Sequence, residues 1–598
     1  MPVMKPISSN DIPQGENWLY EIKYDGFRCV IYWNQGEIKL VSKNNKELTK
    51  GFPEIVEALY AVESEMTEVL PITLDGELVI LNNDYQGNFS ALQKRGRLKN
   101  KAAILKAAET RPASFLAFDL WQQGKENMEK VPYIERKIAL ESLLATIKVP
   151  QLRIVKTFEN PNKLWEIIFN YKGEGMIAKR KRSIYQPGKG HHDWLKIKNW
   201  RTFHGFLTTY DKKNNYFTVG VFNGENISTI GKCKHGLDKD TFSSIAQFFI
   251  KNGVEHGEGY ELPPAICASL HTLDLYKNEL REPEFSTLLP NISATECTQQ
   301  KLELDMAMLP QKVELTNTEK IFWPSTGYTK GDLLVYIREI APYMLPFIKS
   351  KALTIIRAPD GVSNEHFFQK HLPDYAPDFI NSIPYENEKL IVCDSLDSLI
   401  WFANHGAVEY HVPFQYITQT HPHEIVFDLD PPDRKRFSLA IKAANIIKPM
   451  LDELELTSFV KTSGNKGLQI HIPLPSNKLS YEDTALITQS IAWTVETAYP
   501  NLFTTERMKK KRNERLYIDY VQHGKDKTII TPYSPRRTEE ATVSTPLFWE
   551  EVKEGLEPTC FTVKNMVERV QTLGCPFNDY FKVGENQELD KVLSLIRG

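Results

Sequence analysis

The sequence predicts a multidomain α+β chain, and three observations predict it. At 598 residues the chain exceeds what one hydrophobic core organises, given roughly 150 residues per domain. Strand-like and helix-like runs alternate without the regularity of a βαβ array. The pattern also changes twice, near Phe203 and again near residue 312.

In the first part, Cys29–Trp33, Glu37–Ser42, Glu77–Leu81 and Phe115–Leu120 read as strands, and Tyr133–Ile147 has the period of a helix. From Phe203 the pattern becomes short strands broken by turns. Asn214–Asn215 and Asn223–Gly224 sit at tight-turn positions, which predicts a small β-barrel reaching about Pro290. Residues 291–311 are polar and without a strong period, and predict a linker. After it, Gly331–Lys349 predicts a helix, while VFDLD, GLQIHIPL and LYIDYV predict core strands. The expected domains are therefore 1–202, 203–290, the linker 291–311, and 312–598.

Composition removes other classes. Hydrophobic residues are 41% and charged residues 25%, which excludes a mainly disordered or fibrous chain. Net charge is −3, so only local charge can point to a polyanion. The seven cysteines are scattered, with no CxxC pair and no zinc-ligand spacing. The polar N-terminus is unlike a signal peptide, and no apolar run approaches the ~18 residues of a membrane span. A soluble protein of a reducing, cytoplasmic compartment is expected, without membrane contact.

The first chemical constellation is Glu21-Ile-Lys23-Tyr-Asp25-Gly26-Phe-Arg28. In an extended strand Lys23 and Asp25 would share one face, and Gly26 would let the backbone approach a ligand. A desolvated lysine near cations or a metal can be a nucleophile. Further along, Asp75-Gly-Glu77 puts carboxylates at a strand start, and Phe115-Leu-Ala-Phe118 offers an aromatic suited to stacking a purine. Glu174-Gly175 supplies another acid, and Trp194-Leu-Lys196-Ile-Lys198 sends two lysines to one side of a strand. Residues 171–204 hold nine Lys/Arg against two acids, with Tyr185, His191, His192, Trp194 and Trp200 interleaved, which reads as a nucleic-acid surface.

This ordered set resembles the covalent nucleotidyltransferases, most closely the ATP-dependent DNA ligases. The resemblance implies an adenylation domain followed by an OB-type barrel. It implies that Lys23 attacks the α-phosphate of ATP and carries AMP, which passes to a 5′-phosphate before a 3′-hydroxyl displaces it. Glu21, Arg28, Glu77 and Phe118 would contact the nucleotide, with Arg28 and Glu77 on the ribose and Phe118 on adenine. Asp25 would line the same pocket, Glu174 would hold a divalent metal, and Lys196 and Lys198 would neutralise the α-phosphate. Two departures stand out. Ser42-Lys43 has lysine where the family has arginine, and Arg281-Glu282-Pro283-Glu284 lacks the charged residues that usually complete the barrel-end motif.

The second constellation is Ile425-Val-Phe-Asp428-Leu-Asp430, an apolar strand ending in two acids on one face, which favours Mg²⁺ or Mn²⁺. Lys461-Thr-Ser463-Gly464-Asn-Lys466-Gly467 could hold a triphosphate through its backbone N–H groups, and Arg515-Leu-Tyr-Ile-Asp519 adds a third acid. Residues 505–537 carry ten Lys/Arg against four acids.

This part resembles the archaeo-eukaryotic primase-like polymerase domain of bacterial ligase D, the non-homologous end-joining enzyme. By that resemblance Asp428, Asp430 and Asp519 are catalytic and metal-binding, while Ser463, Lys466 and Arg536 meet the triphosphate of an NTP or dNTP. Lys320 and Lys330 would grip a downstream 5′-phosphate, and Phe367, Phe368 and Lys370 would meet the template. Arg357 and His411 lie in similarly recognisable stretches. Family members carry histidine where Gln469 stands, and His471, two residues on, is the candidate substitute. The resemblance implies gap filling with ribonucleotides favoured, ATP-dependent sealing of double-stranded ends, nicks and short gaps, a Ku homodimer partner and a monomeric enzyme. A replicative or RNA-directed primase–ligase and a non-enzymatic end-bridging scaffold are the alternatives.

Overall fold

The computed structural model describes residues 2–188, 190–276 and 278–597; Lys189, counted in the first basic run, lies outside the described residues. The chain forms two compact units, one comprising Met1–Met308 and Gln571–Leu573 and the other Leu309–Val570 and Gly574–Gly598.

The first unit opens with two sheets. One runs, in spatial order, Lys5–Ser8, Gly190–Lys198, Gly175–Arg180, Trp18–Ile22 and Thr157–Phe158. The other runs Leu152–Ile154, Ser114–Gln123, Ile72–Val79, Phe27–Asn34 and Glu37–Ser42, with Glu126–Asn127 beside Ser114–Gln123. Ile31, Trp33, Leu40, Leu74, Leu78, Phe115 and Leu120 fill the core of the second sheet. Helix Tyr133–Thr146 follows the sequence expectation closely. The strand expected from Glu77 starts instead at Ile72, so Asp75 lies inside it rather than at its start. Burial of its carboxylate is compensated by Arg28 on the next strand.

From Arg201 a six-stranded antiparallel domain follows, in the order Asn226–Cys233, Tyr216–Asn223, Arg201–Asp211, Gly259–Thr272 and Val254–His256, with Glu284–Leu288 beside Gly259–Thr272. Both predicted hairpin turns are present, with Asn215 at φ 58° and Gly224 at φ 61°. The segment expected to be a linker holds a helix, Gln299–Ala307, capped by the Thr298 hydroxyl. Leu302 and Met306 of this helix join the barrel core beside Phe203 and Leu270. Two apolar residues one turn apart suffice to dock so short a helix, although its polar composition hides it in sequence.

The second unit centres on a six-stranded sheet ordered Phe503–Thr504, Leu516–Asp519, Glu424–Asp430, Leu468–Pro473, Phe459–Thr462 and Pro546–Leu547. Helices Phe437–Glu453 and Tyr481–Ala498 pack on it, burying Ile425, Phe427, Leu429, Ile470 and Ile518. A four-stranded sheet runs Phe367–Gln369, Thr354–Arg357, Ala407–Pro413 and Thr528–Ile530. Helix Lys330–Ile348 begins with a capping box in which Thr329 and Asp332 satisfy each other's backbone N–H groups. Among the described residues no helix is long and apolar enough to cross a membrane.

Candidate active sites

In the first unit the strand Trp18–Ile22 stops one residue before Lys23, so Lys23 and Asp25 stand in a loop rather than on one strand face. The loop is fastened by Lys23 N–H donating to the Gly175 carbonyl at 2.8 Å. Lys23 Nζ forms an ion pair with Glu174. Asp25 turns away to Arg281, whose Nη2 donates to Asp25 Oδ1 at 2.6 Å. The residues thus meet different partners, because strand periodicity does not extend into the loop. Gly26 is required by packing: a Cβ there would lie 2.3 Å from the Leu78 carbonyl. Gly175, at φ 149°, faces the Ile197 carbonyl at 2.1 Å in the same way.

Lys196 lies opposite Ile177, and Lys198 opposite Gly175, across the pair of strands that holds Glu174 at its edge. Burial lowers the pKa of Lys196, and the ammonium groups of Lys198 and Lys23 add to it. These three cations therefore crowd the same end of the sheet, as a phosphate site requires. Lys198 is held by Glu282 at 2.9 Å and Glu284 at 3.5 Å, so the atypical barrel-end motif contributes acids here. Glu174 Oε2 is buried without a hydrogen-bond partner, an orphaned oxygen suited to a hard cation.

Arg28 closes on Asp75, and its guanidinium lies 4.5 Å from the Phe118 ring centroid. Burial pushes the Glu77 carboxyl up to about 7. Glu21 does not face an open pocket. Its carboxylate accepts from Tyr133 Oη at 2.6 Å and Lys137 Nζ at 2.6 Å, and pairs with Lys179 Nζ at 2.5 Å. Burial opposes the ionised form, but the two lysines outweigh it and hold its pKa below the usual value. Lys179 is brought down to about 8 by burial and sits 4.4 Å from the Phe118 centroid and 4.3 Å from that of Trp194. Sequence reasoning missed Lys137 and counted Lys179 only in the basic run; their signal is a pair of lysines on otherwise apolar faces.

The first basic run is not a continuous nucleic-acid surface. Lys172, Lys179, Arg201, Tyr185 and Trp194 are buried and Lys181, His191, Lys196, Lys198 and Trp200 half-buried; among the described residues Arg180, Arg182 and His192 are its exposed members. Tyr185 and Trp194 instead belong to a core cluster, and Tyr185 Oη donates to Asp75 at 2.9 Å. The aromatics alternate with charge because the segment contains a strand, one face of which is core.

In the second unit, four adjacent strands place Asp519, Asp428, Gln469 and Lys461 in one cross-strand row. Asp428 is pushed up to about 6 by burial, with Asp430 and Asp519 adding to it, against a hydrogen bond from Gln469 Nε2 at 3.1 Å. Burial likewise raises Asp519, which accepts from Gln522 N–H at 2.8 Å and Tyr517 Oη at 3.1 Å. Asp430 pairs with Lys466 at 2.8 Å and Arg512 at 3.3 Å. Among the described residues no three His, Cys, Asp or Glu side chains converge on one ion position. The donor chemistry nonetheless fits a divalent cation, since buried, mutually repelling carboxylate oxygens are the ligands it takes.

Ser463 Oγ accepts from Gly467 N–H at 3.1 Å, closing the predicted phosphate loop, and Lys466 also donates to the Pro431 carbonyl at 2.8 Å. Arg536 lies 3.5 Å from Glu409, a residue the sequence reading did not single out. Glu409 also accepts from His411 Nε2 at 3.1 Å and from Arg537 N–H at 3.0 Å. Burial opposes its ionisation, yet the His411 hydrogen bond and the Arg536 charge bring it down to about 2.

His471 does not stand in for a histidine at 469. It lies beside Val426, pairs with Glu424 at 2.8 Å, and belongs to a buried cluster with Tyr580 and Lys351. Gln469 itself reaches Asp428, because only that position shares its register. Lys320 pairs with Asp360 at 2.5 Å. Lys330 is buried, with its ammonium on the Asn404 carbonyl at 2.9 Å and Thr316 Oγ1 at 3.1 Å; burial, with Lys320 nearby, lowers it to about 8. It is therefore not an open phosphate contact in this arrangement. Phe367 and Phe368 are exposed on their strand beside the exposed Lys370, and Arg357 lies 5.2 Å from the Phe367 centroid. Arg507, Lys509, Lys510, Lys511, Lys525 and Lys527 of the second basic run are exposed.

Comparison with known proteins matches residues 5–198 to the ATP-dependent DNA ligase domain and residues 329–577 to the LigD primase-polymerase domain. The chain is 38% identical to the bifunctional non-homologous end joining protein LigD of Bacillus subtilis over 99% of both chains. It is 24% identical to the multifunctional LigD of Pseudomonas aeruginosa, over 95% of this chain and 71% of that protein. The solved polymerase domain of Mycobacterium tuberculosis ligase D in complex with DNA is 29% identical, with a TM-score of 0.42, covering 45% of this chain and 97% of that one. With ATP-dependent ligase and primase-polymerase domains in that order, matched end to end by a bifunctional relative, this chain belongs to the LigD family of bacterial non-homologous end-joining enzymes.

Proposed function

We propose that the first unit seals DNA through a Lys23–AMP intermediate and that the second fills gaps through Asp428, Asp430 and Asp519. The observation that carries the reading is the cross-strand pairing of Asp428 with Asp519 beside the Ser463–Gly467 loop. The Lys23–Glu174 pair, crowded by Lys196, supports the other half.

In sealing, Lys23 Nζ attacks the α-phosphorus of ATP and loses its proton, and pyrophosphate leaves. Lys196 and Lys198 meet the charge that builds on the phosphate, with Lys198 exchanging Glu282 for a phosphate oxygen. Arg28 and Glu77 hold the ribose, and Phe118 stacks on the base. Asp25 positions the barrel end through Arg281. The 5′-phosphate of the nick then takes AMP from Lys23, and a 3′-hydroxyl displaces it.

In gap filling, Ser463, Lys466 and Arg536 hold the triphosphate while Asp428, Asp430 and Asp519 face the reacting 3′-hydroxyl. These aspartates, and Glu174 in the ligase site, would hold Mg²⁺ or Mn²⁺, which would supply charge neutralisation at the phosphate. Lys320 binds the downstream 5′-phosphate, Lys330 and Arg357 add positive charge behind it, and Phe367, Phe368 and Lys370 meet the template. His411, held by Glu409, stands beside Arg536. The substrates are double-stranded ends, nicks and short gaps, with ribonucleotides favoured over deoxyribonucleotides. The enzyme acts as a monomer with a Ku homodimer at the bacterial nucleoid.

The test uses a labelled primer on a gapped duplex with a downstream 5′-phosphate, ATP, Mn²⁺ and either nucleotide type. Lys23→Ala abolishes sealing and leaves extension, whereas Asp428→Ala stops extension on the gapped duplex and leaves sealing of a plain nick. Sealing by Lys23→Ala would overturn the nucleophile assignment.

A further inference from the structure

Lys461 is fully buried, yet among the described residues no carboxylate forms an ion pair with it. Its ammonium donates to Gln469 Oε1 and, at 2.7 Å, to Ser544 Oγ, which in turn donates to the Thr462 carbonyl at 3.2 Å. Removing a cation from water costs several kcal/mol unless it is compensated, and neutral acceptors compensate poorly. The nearest use for the charge lies one side chain away. The three strands bring Lys461, Gln469 and Asp428 into direct cross-strand register.

This chain of contacts has a direction. A lysine ammonium only donates, so the Gln469 carbonyl must face Lys461. The Gln469 amide nitrogen then faces Asp428, where it donates to Oδ1 at 3.1 Å. Donors therefore run head to tail from Lys461 through the amide to the carboxylate, which occupies Oδ1 and leaves the other oxygen to face the site.

We propose that Lys461 is a positioning residue of the polymerase site, fixing the Gln469 amide so that Asp428 presents one oxygen to a divalent cation. The idea rests on reading Asp428, Asp430 and Asp519 as cation ligands. Groups that orient a ligand in this way are worth roughly 10–100-fold in metal affinity.

The sign of the effect separates this role from plain charge. A positive charge behind two carboxylates opposes a cation, so removing a merely electrostatic Lys461 tightens binding. Removing a positioning Lys461 weakens it.

The experiment titrates Mn²⁺ into the full-length, metal-free protein without nucleotide, reading free Mn²⁺ by electron paramagnetic resonance. Binding lost in Asp428→Asn defines the polymerase-site component; if Asp428→Asn loses none, the ligand reading itself fails. Lys461→Met is expected to weaken that component about tenfold or more. Gln469→Leu should do the same, and the double variant should be no worse than either single variant. Lys461→Arg, which keeps the donors, should restore part of the affinity in a way a generally damaged core would not. Tighter Mn²⁺ binding in Lys461→Met, or additive losses in the double variant, would overturn the proposal.

Discussion

Arg28 and Asp75 stand on neighbouring antiparallel strands and close a two-pronged ion pair, Nε to Oδ1 at 2.7 Å and Nη2 to Oδ2 at 2.6 Å. The Asp75 side chain is wholly buried, so the pair fixes a guanidinium over Phe118 that solvent could not hold there. Asp75→Ala leaves a buried charge unpaired and is expected to cost about 3–5 kcal/mol of stability in urea unfolding. In the fraction that folds, KM for ATP in self-adenylation should rise about tenfold or more, since a displaced Arg28 no longer presents its donors.

Glu77 gives the ligase site a pH signature. Burial raises its carboxyl to about 7, above its unfolded value. Protons are therefore bound more tightly in the folded state, and the stabilisation is complete at acid pH. It falls as pH rises past the unfolded carboxylate value and is gone once pH passes about 7. Glu77→Gln should flatten the decline in urea midpoint between pH 5 and 8 relative to the parent protein.

His471 and Gln469 stand on one strand face with different duties. His471→Asn should keep primer extension within about threefold of the parent while lowering stability by about 1–3 kcal/mol, because Glu424 loses a donor in a buried cluster. Parallel extension assays and urea titrations check both halves. Loss of extension without loss of stability would return His471 to the catalytic site.

Phe368 offers an open aromatic face in the second unit, being 71% exposed. Phe368→Ala should weaken binding of gapped DNA by about 1–3 kcal/mol, the value of one base stacked on a ring, with an unchanged thermal midpoint. Fluorescence anisotropy with a labelled duplex measures it. Phe367→Ala should cost less, since Arg357 already lies near that ring.

The sequence made the two chemistries legible because they are carried by local motifs. Asp428 and Asp430 end an apolar strand as expected, and the Asn215 and Gly224 turns could be read from residue type alone. What escaped was set by contacts distant in sequence. Asp75 looked like the start of a strand because Arg28, which permits its burial within one, lies 47 positions away. Glu21 looked like a nucleotide ligand because the lysines that enclose it stand at 137 and 179. Tyr185 and Trp194 looked like a stacking surface because composition does not say which face of a strand is core. Lys461 looked like only the first residue of the phosphate loop and Gln469 like only a missing histidine, since their importance lies in register with Asp428.

The helix Gln299–Ala307 decides where the two activities can be parted. Cutting the chain at 290 would strip Leu302 and Met306 from the barrel and leave an open apolar seam beside Phe203 and Leu270. Cutting after Met308 keeps that seam closed, because the helix stays with the sheet it covers. A ligase half made to stand alone therefore needs the segment whose polar letters look most dispensable.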